Sequence, residues 1–186
     1  CTTYSSTATI TVSATSAGGT VSGSATKCTG TNSTTFTLAS YTGTIQWESS
    51  TDSSSWSVVD GATSPSYTAT NLAISTFYRA VVTNGACPSV LSSNTGKVTI
   101  DSTSIGGTIS GAITVCSGSN STLLTLNGYR GTIQWQSATL AGGFSNINGA
   151  TSFNYTAAGL TSSTRYRAVV TSGVCAAVNS DTSIIT

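Results

Sequence analysis

The feature that most constrains this chain is an internal duplication with a period of 88 residues. The segment GGTVSG at residues 18–23 returns as GGTISG at residues 106–111, and YRAVVT at residues 78–83 returns unchanged at residues 166–171. We expect this offset to hold without a gap to the end of the sequence. Both copies must therefore adopt one fold, and a period of this length is typical of small tandem domains.

The duplication predicts a domain organisation. Residues 1–16 resemble the end of a repeat, because they begin with a cysteine as residues 87–100 do, and we expect them to be the last strand of a preceding repeat. Residues 17–101 and residues 102–186 are then the first and second complete repeats. On this interpretation the chain is a segment of a longer protein.

Within each repeat, apolar and polar residues alternate with a period of two, and β-branched and aromatic residues lie between turn residues. Seven short strands at this spacing fit two packed sheets, so the sequence predicts an all-β chain of tandem antiparallel sandwiches of the immunoglobulin-like or fibronectin III-like kind. The strands of the first repeat are predicted near residues 20–27, 34–39, 44–49, 56–59, 66–70, 76–83 and 90–100.

Large apolar and aromatic residues at matching positions of the two repeats are predicted to form the cores. The third strand carries a tryptophan where an immunoglobulin sandwich buries its central tryptophan, and an apolar residue of the second strand faces it. The sixth strand carries a tyrosine in a segment that resembles the tyrosine corner of fibronectin III domains. In this order, the core pairs are Trp47 and Trp135, Phe36 and Leu124, and Tyr78 and Tyr166.

The five cysteines recur in a fixed pattern. Cys28 and Cys116 precede the second strand of their repeats, whereas Cys87 and Cys175 follow the sixth strand, and Cys1 repeats this later position. Paired cysteines in a chain rich in serine and threonine indicate an oxidising compartment.

Two connectivities stay open. The simpler one joins Cys28 to Cys87 and Cys116 to Cys175 within each repeat, and it leaves Cys1 unpaired in this chain. However, the second and sixth strands of such a sandwich run parallel, so these cysteines are expected at opposite ends of the repeat. A disulfide needs Cα atoms about 4.4 to 6.8 Å apart. The alternative bond crosses between repeats and joins Cys28 to Cys175.

The number and distribution of charged residues argue against some classes of partner. Only 6% of residues are charged, against about 25% in an ordinary soluble domain, and the six basic and five acidic side chains are scattered singly. Because no basic stripe is present, nucleic acid is not expected as a partner. No apolar run approaches the roughly 20 residues that span a bilayer, so membrane insertion is not expected either.

The sequence contains no histidine, so the commonest general base is missing. We therefore expect neither an enzyme nor a cofactor, and the absence of a closely spaced cysteine pair argues against zinc. Glu48 and Asp52 form the sharpest enzymatic alternative, as the paired carboxylates of a glycosidase, but charged loop residues are the plainer interpretation. Acids this sparse rarely supply the several oxygens of a calcium site.

The two copies diverge most between residues 49–60 and residues 137–148, where Trp56 and Phe144 occupy equivalent positions. Loops on a rigid sandwich often carry function, so these two aromatic residues are candidate contacts for a ligand or a neighbouring molecule. Packing against the edge of the sheet is the alternative role.

Four motifs support a resemblance to a known family. They are Cys-x-Gly before the second strand, Thr-Ile-Gln-Trp in the third, Thr-x-Tyr-Arg-Ala-Val-Val in the sixth and Gly-x-Cys after it. Together they resemble the immunoglobulin-like tandem repeats of large secreted cell-surface adhesins of Bacteroidota, especially flavobacteria. The resemblance implies type IX secretion, an extracellular cell-surface location, and roles in adhesion or gliding motility. It also implies O-glycosylation at Ser102, for which an ordinary polar linker is the alternative.

We therefore expect a structural segment, a stalk or a filament, of an extracellular bacterial adhesin that mediates surface attachment. Its expected partners are neighbouring repeats of the same protein and like filaments, whereas no motif identifies a surface or glycan ligand. One alternative is a carbohydrate-binding accessory module of a secreted modular enzyme, which predicts a flat row of aromatic residues. Another is a threonine-rich ice-binding region, which predicts regular outward threonine ladders.

Overall fold

The computed structural model describes residue 6 and residues 8–186, and its regular elements are β-strands. The first repeat contains β1 (Ala17–Ser22), β2 (Ala25–Cys28), β3 (Ser33–Thr42), β4 (Thr44–Ser50), β5 (Ser57–Val58), β6 (Ser66–Thr70), β7 (Thr76–Thr83), β8 (Val90–Leu91) and β9 (Gly96–Asp101). The second contains β10 (Thr108–Ser110), β11 (Ser121–Asn127), β12 (Thr132–Thr139), β13 (Ser145–Asn146), β14 (Asn154–Ala158), β15 (Thr164–Thr171), β16 (Val178–Asn179) and β17 (Ser183–Ile185).

Each repeat is built from two sheets, in which most neighbouring strands run antiparallel. In the first repeat, one sheet has the order β1-β3-β6, and the other has the order β2-β9-β7-β4-β5 with β8 also paired to β7. In the second repeat, the sheets are β10-β11-β14 and β13-β12-β15-β16 with β17 paired to β15. The predicted all-β fold of immunoglobulin-like sandwiches is confirmed.

The first predicted strand is interrupted in both repeats. In the first repeat, β1 pairs with β3, and after Gly23 the chain continues as β2 in the opposite sheet. Gly23 has a φ of 109°, and a Cβ at this position would collide with the carbonyl oxygen of Thr35. Only glycine accommodates this conformation and this close approach together. Gly111 has the same conformation in the second repeat, with a φ of 99°, but residues 111–116 form no strand there.

Aromatic side chains fill the core of the first repeat. Phe36 and Trp47 are fully buried, and Tyr78 is 3% exposed. The ring of Phe36 lies 4.8 Å from that of Tyr78, so residues of the two sheets meet in the middle of the sandwich. Burial, together with the neighbouring Tyr67, raises the pKa of Tyr78 to about 12.

The second core uses the matching positions. Leu124 and Trp135 are fully buried, and Tyr166 is 3% exposed. Tyr155 lies between the last two, with ring centroids 5.8 Å from Trp135 and 5.6 Å from Tyr166. Burial is the main reason that the pKa of Tyr166 is raised, and Tyr155 adds to the effect.

The repeats differ in length near their ends. Tyr78 pairs with Gly96, whereas Tyr166, which lies 88 residues after Tyr78, pairs with Ser183. Ser183 follows Gly96 by only 87 residues, so the prediction of an ungapped offset is wrong. The missing residue falls in the loop before the last strand, where a deletion leaves the strand register intact.

The described residues form two compact units. The first contains the described residues up to Ala25 and Thr31–Thr99, and the second contains Thr26–Gly30 and Ile100–Thr186. A short segment of the first sequence repeat therefore belongs to the second unit. The described residues before position 17 form no strand, so the division into 1–16, 17–101 and 102–186 stays a prediction. No helix in the described part of the chain is long and apolar enough to cross a membrane.

Candidate functional site

A disulfide joins Cys28 to Cys175 inside the second compact unit, with their Cα atoms 4.9 Å apart. Cys87 and Cys116 are free thiols. Of the two connectivities that stayed open, the structure contains the bond from Cys28 to Cys175 and not the pairing within each repeat. The physical reason is the strand arrangement, because a cysteine just before β3 and one just after β7 of the same repeat lie at opposite ends of the sandwich. Cys1 lies outside the described residues.

Residues 102–104, at the start of the second repeat, hold the turn that carries Cys175. The backbone N–H of Ser172 donates to the hydroxyl of Ser104 at 2.9 Å, and the N–H of Cys175 donates to the carbonyl of Ser172 at 2.9 Å. The sulfur of Cys175 lies 3.3 Å from the carbonyl oxygen of Ser102. Hydrogen bonds of this segment thus fix the turn, in addition to the disulfide itself.

The same arrangement surrounds the free thiol of Cys87. The N–H of Asn84 donates to the hydroxyl of Ser16 at 2.9 Å, and the N–H of Cys87 donates to the carbonyl of Asn84 at 3.0 Å. The thiol of Cys87 lies 3.3 Å from the carbonyl oxygen of Ala14. Because these distances match those around Cys175, Cys87 is held in the geometry of a bonded cysteine.

Cys116, the copy of Cys28, is exposed. Its carbonyl oxygen accepts a hydrogen bond from the side-chain amide of Asn120 at 2.8 Å, and the N–H of Val115 donates to Thr186 at 2.8 Å. A hollow lined by Val115, Leu160 and Ile185 opens beside this segment. Cys116 is therefore an exposed cysteine on a backbone that these two hydrogen bonds hold.

A second candidate site is an arginine stacked on an aromatic ring. In the first repeat, the guanidinium carbon of Arg79 lies 4.2 Å from the ring centroid of Trp56, and its Nε donates to Glu48 at 2.7 Å. The register pairs Glu48 directly with Arg79 across β4 and β7. One face of the Trp56 ring is thus covered by a cation of its own sheet.

The second repeat builds the same cluster without an acid. The Nε of Arg167 donates to the amide oxygen of Gln136 at 2.7 Å, and its guanidinium carbon lies 4.2 Å from the centroid of Phe144. A second guanidinium, that of Arg165, lies 5.1 Å from the same ring. The predicted contact role of Trp56 and Phe144 stays a prediction, since these contacts show only how the rings pack within the chain.

The predicted carboxylate pair does not form a joint site, because Glu48 bonds Arg79 and Asp52 organises its own loop. Asp52 accepts hydrogen bonds from the N–H groups of Ser54 and Ser55, at 2.8 Å each. These two, with Ser55 first, hold the pKa of Asp52 well below its usual range. Among the described residues, no group of three or more histidine, cysteine or acidic side chains is placed to hold a metal ion.

Both repeats also have a shallow open groove at one end of the sheets. Tyr41, Ile45 and Pro65 line the first groove, and Tyr129, Ile133 and Phe153 line the second. The grooves occupy equivalent positions 88 residues apart.

Ser102, the predicted glycan acceptor, is exposed in the segment before β10, and its modification stays a prediction.

Sequence reasoning missed two parts of these sites. Arg79 and Arg167 carry the stacking contacts, and strand alternation opposite Glu48 and Gln136 was the signal that could have found them. Ser16 and Ser104 fix the cysteine turns, and their exact spacing of one repeat period was the available signal.

Comparison with known proteins gives a family and a fold. A family model described as a domain of unknown function, DUF8696, matches the chain twice, over residues 17–102 and residues 105–186. No curated protein matches the sequence.

Among solved structures, murine CEACAM1b is similar with a TM-score of 0.55 and 12% identity, over 89% of this chain and 98% of that one. A segment of titin has a TM-score of 0.51 and 14% identity, over 88% of this chain and 62% of that one. A Ca²⁺-stabilized adhesin that helps an Antarctic bacterium bind ice has a TM-score of 0.44 and 11% identity, over 92% of this chain. This chain spans only half of that adhesin chain. The likeness to the first two shows the immunoglobulin-like sandwich fold.

Proposed function

The chain belongs to the DUF8696 family, and from that premise we propose that it is a structural, non-enzymatic segment of an extracellular cell-surface adhesin, acting as a stalk or filament that mediates attachment. The observation that carries the proposal is the disulfide between Cys28 and Cys175. It connects a residue of the first family match to a residue of the second.

The disulfide supports the extracellular location. Disulfides form and persist in oxidising compartments such as the cell surface, and they are rare where thiols are kept reduced. Because Cys175 is 5% exposed and its turn is braced by Ser104, the bond is part of the folded structure of the second unit.

The use of the polar side chains supports a structural role. Glu48 is paired with Arg79, Asp52 organises its loop, and Asp101 accepts the N–H of Val174 at 2.9 Å. These acids hold strands and turns, as the hydroxyls of Ser16 and Ser104 do. Two copies that use matching residues for cores and turns suit a spacer, in which each repeat adds length.

The carbohydrate-binding alternative is less well supported. Sugar stacking needs an aromatic ring with an open face, and a binding module presents several such rings in a row. The face of Trp56 that stacks on Arg79 is occupied, and Phe144 has two arginines within 5.1 Å of its centroid. The contacts of these rings favour packing against the sheet as their role.

In its finer form, the proposal places the protein on a Bacteroidota cell, exported by type IX secretion, with neighbouring repeats or like filaments as partners and a role related to gliding. Its support is the sequence resemblance alone. Ser102 is proposed as an O-glycan acceptor, and its exposure next to the turn of Cys175 is compatible with a glycan.

The test is made on the source cell. An antibody against residues 17–186 is applied to intact and to lysed cells, and attachment to a surface is measured after these residues are deleted from the gene. We expect labelling of intact cells, non-reducing recovery of the peptide that joins Cys28 to Cys175, and reduced attachment by the deletion strain. Labelling only after lysis, or recovery of Cys28 as a free thiol, overturns the proposal.

A further inference from the structure

We propose that the outer face of the sheet β1-β3-β6 in the first repeat binds ice, through a regular grid of serine and threonine hydroxyls. Ice binding goes beyond the proposed function, because it names a ligand of the repeat itself. It depends neither on the disulfide nor on the role in attachment.

The outer face of this sheet carries only small side chains. Phe36 and Leu38 of β3 and Ala69 of β6 are buried in the core, so their neighbours along each strand point to solvent. The exposed residues are Thr20 and Ser22 on β1, Ser33, Thr35, Thr37 and Ala39 on β3, and Ser66, Thr68 and Thr70 on β6. All but one of them carry a hydroxyl.

The strand register aligns these hydroxyls in rows across the sheet. Three rows result, namely Ser22 with Thr37 and Ser66, Thr35 with Thr68, and Ser33 with Thr70. Neighbouring strands lie about 4.7–4.9 Å apart and alternate residues of one strand about 6.6–6.8 Å apart, so the rows form a nearly rectangular grid. Oxygen atoms on a prism face of ice repeat on a rectangular grid of similar dimensions. The hydroxyl oxygens are thus spaced to take the places of water oxygens in that lattice.

The hydroxyls of this grid are held before any ligand arrives. The two hydroxyl oxygens of Thr35 and Thr68 lie 2.9 Å apart, within hydrogen-bond distance. The hydroxyls of Ser22 and Ser66 donate to carbonyl oxygens of β3 at 3.4 and 3.3 Å. A hydroxyl that donates in this way keeps lone pairs that accept hydrogen bonds from water. Because serine and threonine side chains are short and threonine is stiff at χ1, little conformational entropy is lost on binding.

The chemistry of the face argues against other partners. The six basic and five acidic side chains of the sequence all lie outside β1, β3 and β6. The rings of Phe36 and Tyr67 contact Trp47 in the core, and Tyr41 lines the groove at the end of β3. The face therefore lacks the cations that bind anions, the rings that stack on sugars, and the aromatic and arginine side chains typical of protein interfaces. A neutral lattice of water, whose molecules donate and accept equally, needs only hydroxyls.

The second repeat interrupts the same grid. Three positions change, since Thr35 corresponds to Leu123, Ser66 to Asn154 and Thr70 to Ala158. The side chain of Leu123 is 53% exposed, so an apolar group stands in the middle of the face. The strands β11 and β14 nevertheless keep the register of β3 and β6. Ice binding is thus expected of the first repeat alone, and the fold is known to accommodate the three exchanged residues.

The experiment measures how much of the 186-residue chain enters ice that grows slowly from a dilute, low-salt solution. Serum albumin is the reference, and the protein in the melted ice is quantified by absorbance. The test variant combines Thr35→Leu, Ser66→Asn and Thr70→Ala, which gives the first repeat the residues of the second. Circular dichroism and urea midpoints verify its fold.

Two matched variants complete the test. The control combines Glu48→Gln, Val58→Asn and Leu91→Asn, which makes the same kind of exchange in the opposite sheet of the first repeat. The reverse exchange combines Leu123→Thr, Asn154→Ser and Ala158→Thr in the otherwise unchanged chain, which completes the grid of the second repeat. It keeps the test decisive if the first variant fails to fold.

We expect the parent chain and the control variant to be enriched in ice relative to albumin, and the test variant to lose this enrichment by about tenfold or more. The reverse exchange should increase the enrichment above that of the parent chain. A parent chain that enters ice no better than albumin, an equal loss in the control variant, or a reverse exchange without gain overturns the inference. Binding to insoluble cellulose or chitin through the same three residues, without enrichment in ice, would assign the face to a glycan instead. None of these outcomes changes the disulfide or the attachment of cells, so the proposed function is tested separately.

Discussion

The two repeats place different residues at matching positions across the sandwich. In the first repeat, Phe36 lies against Gly96, where an added Cβ would collide with the aromatic ring. In the second repeat, the smaller Leu124 replaces Phe36, and Ser183 occupies the position of Gly96 opposite the core tyrosine. A large residue beside glycine is exchanged for a smaller one beside serine. The copies have therefore diverged in compensating pairs, as close packing requires.

The arginine clusters of the two repeats differ in charge but keep the same geometry. The hydrogen bond from Arg79 to Glu48 and that from Arg167 to Gln136 are both 2.7 Å long, and both guanidinium carbons lie 4.2 Å from an aromatic centroid. The geometry is kept although the carboxylate is replaced by an amide. The hydrogen bond and the stacking are thus the constant features, and the ion pair is particular to the first repeat.

The largest expected effect distinguishes the bonded cysteines from the free ones. Replacing both Cys28 and Cys175 with serine should lower the free energy of unfolding by about 2–4 kcal/mol, because the unfolded chain regains the freedom that the cross-link removes. Urea denaturation without reductant measures this loss.

The matched control replaces Cys87 and Cys116 with serine, which also removes one early and one late cysteine. We expect its urea midpoint to equal that of the parent chain when both are kept monomeric. An equal loss in both double variants would mean that the sulfur atoms contribute by packing, and the distinction between bonded and free positions would fail.

The next effect concerns the paired core residues. Gly96→Ser in the first repeat should cost about 1–3 kcal/mol, because the new side chain is forced against the ring of Phe36. Adding Phe36→Leu should recover part of this loss, since the pair then matches Leu124 and Ser183. Chemical denaturation of the two single variants and the double variant gives the coupling energy. If the two losses simply add, the proposed compensation is wrong.

The core tyrosines predict a loss of stability in alkali. The pKa of Tyr78 is about 12 in the folded chain, against 10.0 for an unperturbed tyrosine, so the folded state favours the neutral phenol. Its contribution to stability is complete below about pH 10 and is lost as the pH rises towards 12. Urea midpoints should therefore fall across this interval, and less steeply in Tyr78→Phe. A slope unchanged by that substitution would assign the alkaline loss to other groups.

The smallest effect tests the ion pair. Glu48→Gln gives the first repeat the polar pair of the second, and we expect a change in the free energy of unfolding of less than about 1 kcal/mol, because the two side chains are 17% and 23% exposed. The difference should shrink further in high salt. The reciprocal variant, Gln136→Glu, is the control, and a cost of several kcal/mol in either repeat would show that charge is essential.

Much of this fold could be predicted because strand periodicity depends on local sequence. The strands at residues 66–70 and 76–83 have the predicted bounds, and the alternation in β7 buries every second residue. The duplication shows each alternating strand pattern twice in the sequence, so each strand was predicted from two copies. Trp47 and Trp135 are fully buried at the positions where a sandwich of this kind holds its tryptophan.

Other features depend on contacts that are distant in sequence. The crossing at Gly23 needs the approach of Thr35, and the bond from Cys28 to Cys175 depends on how residues 26–30 join the second unit. The parallel directions of the strands next to the cysteines argued against a disulfide within one repeat. The spacing of the cysteines in the sequence could not decide between the two connectivities. The missing residue before β17 was concealed because the flanking sequences differ, and only the pairing of Tyr166 with Ser183 identified it.

The disulfide also determines what a single cut in the backbone can do. Cys28 and Cys175 are 147 residues apart, so the bond closes most of the chain into a covalent ring. A protease that cleaves once between them, for example in the exposed loop around Asp52, opens the ring but releases no piece. Two cuts are needed to detach material. A protein exposed to extracellular proteases would therefore keep its two ends connected after one cut, for as long as the bond is oxidised.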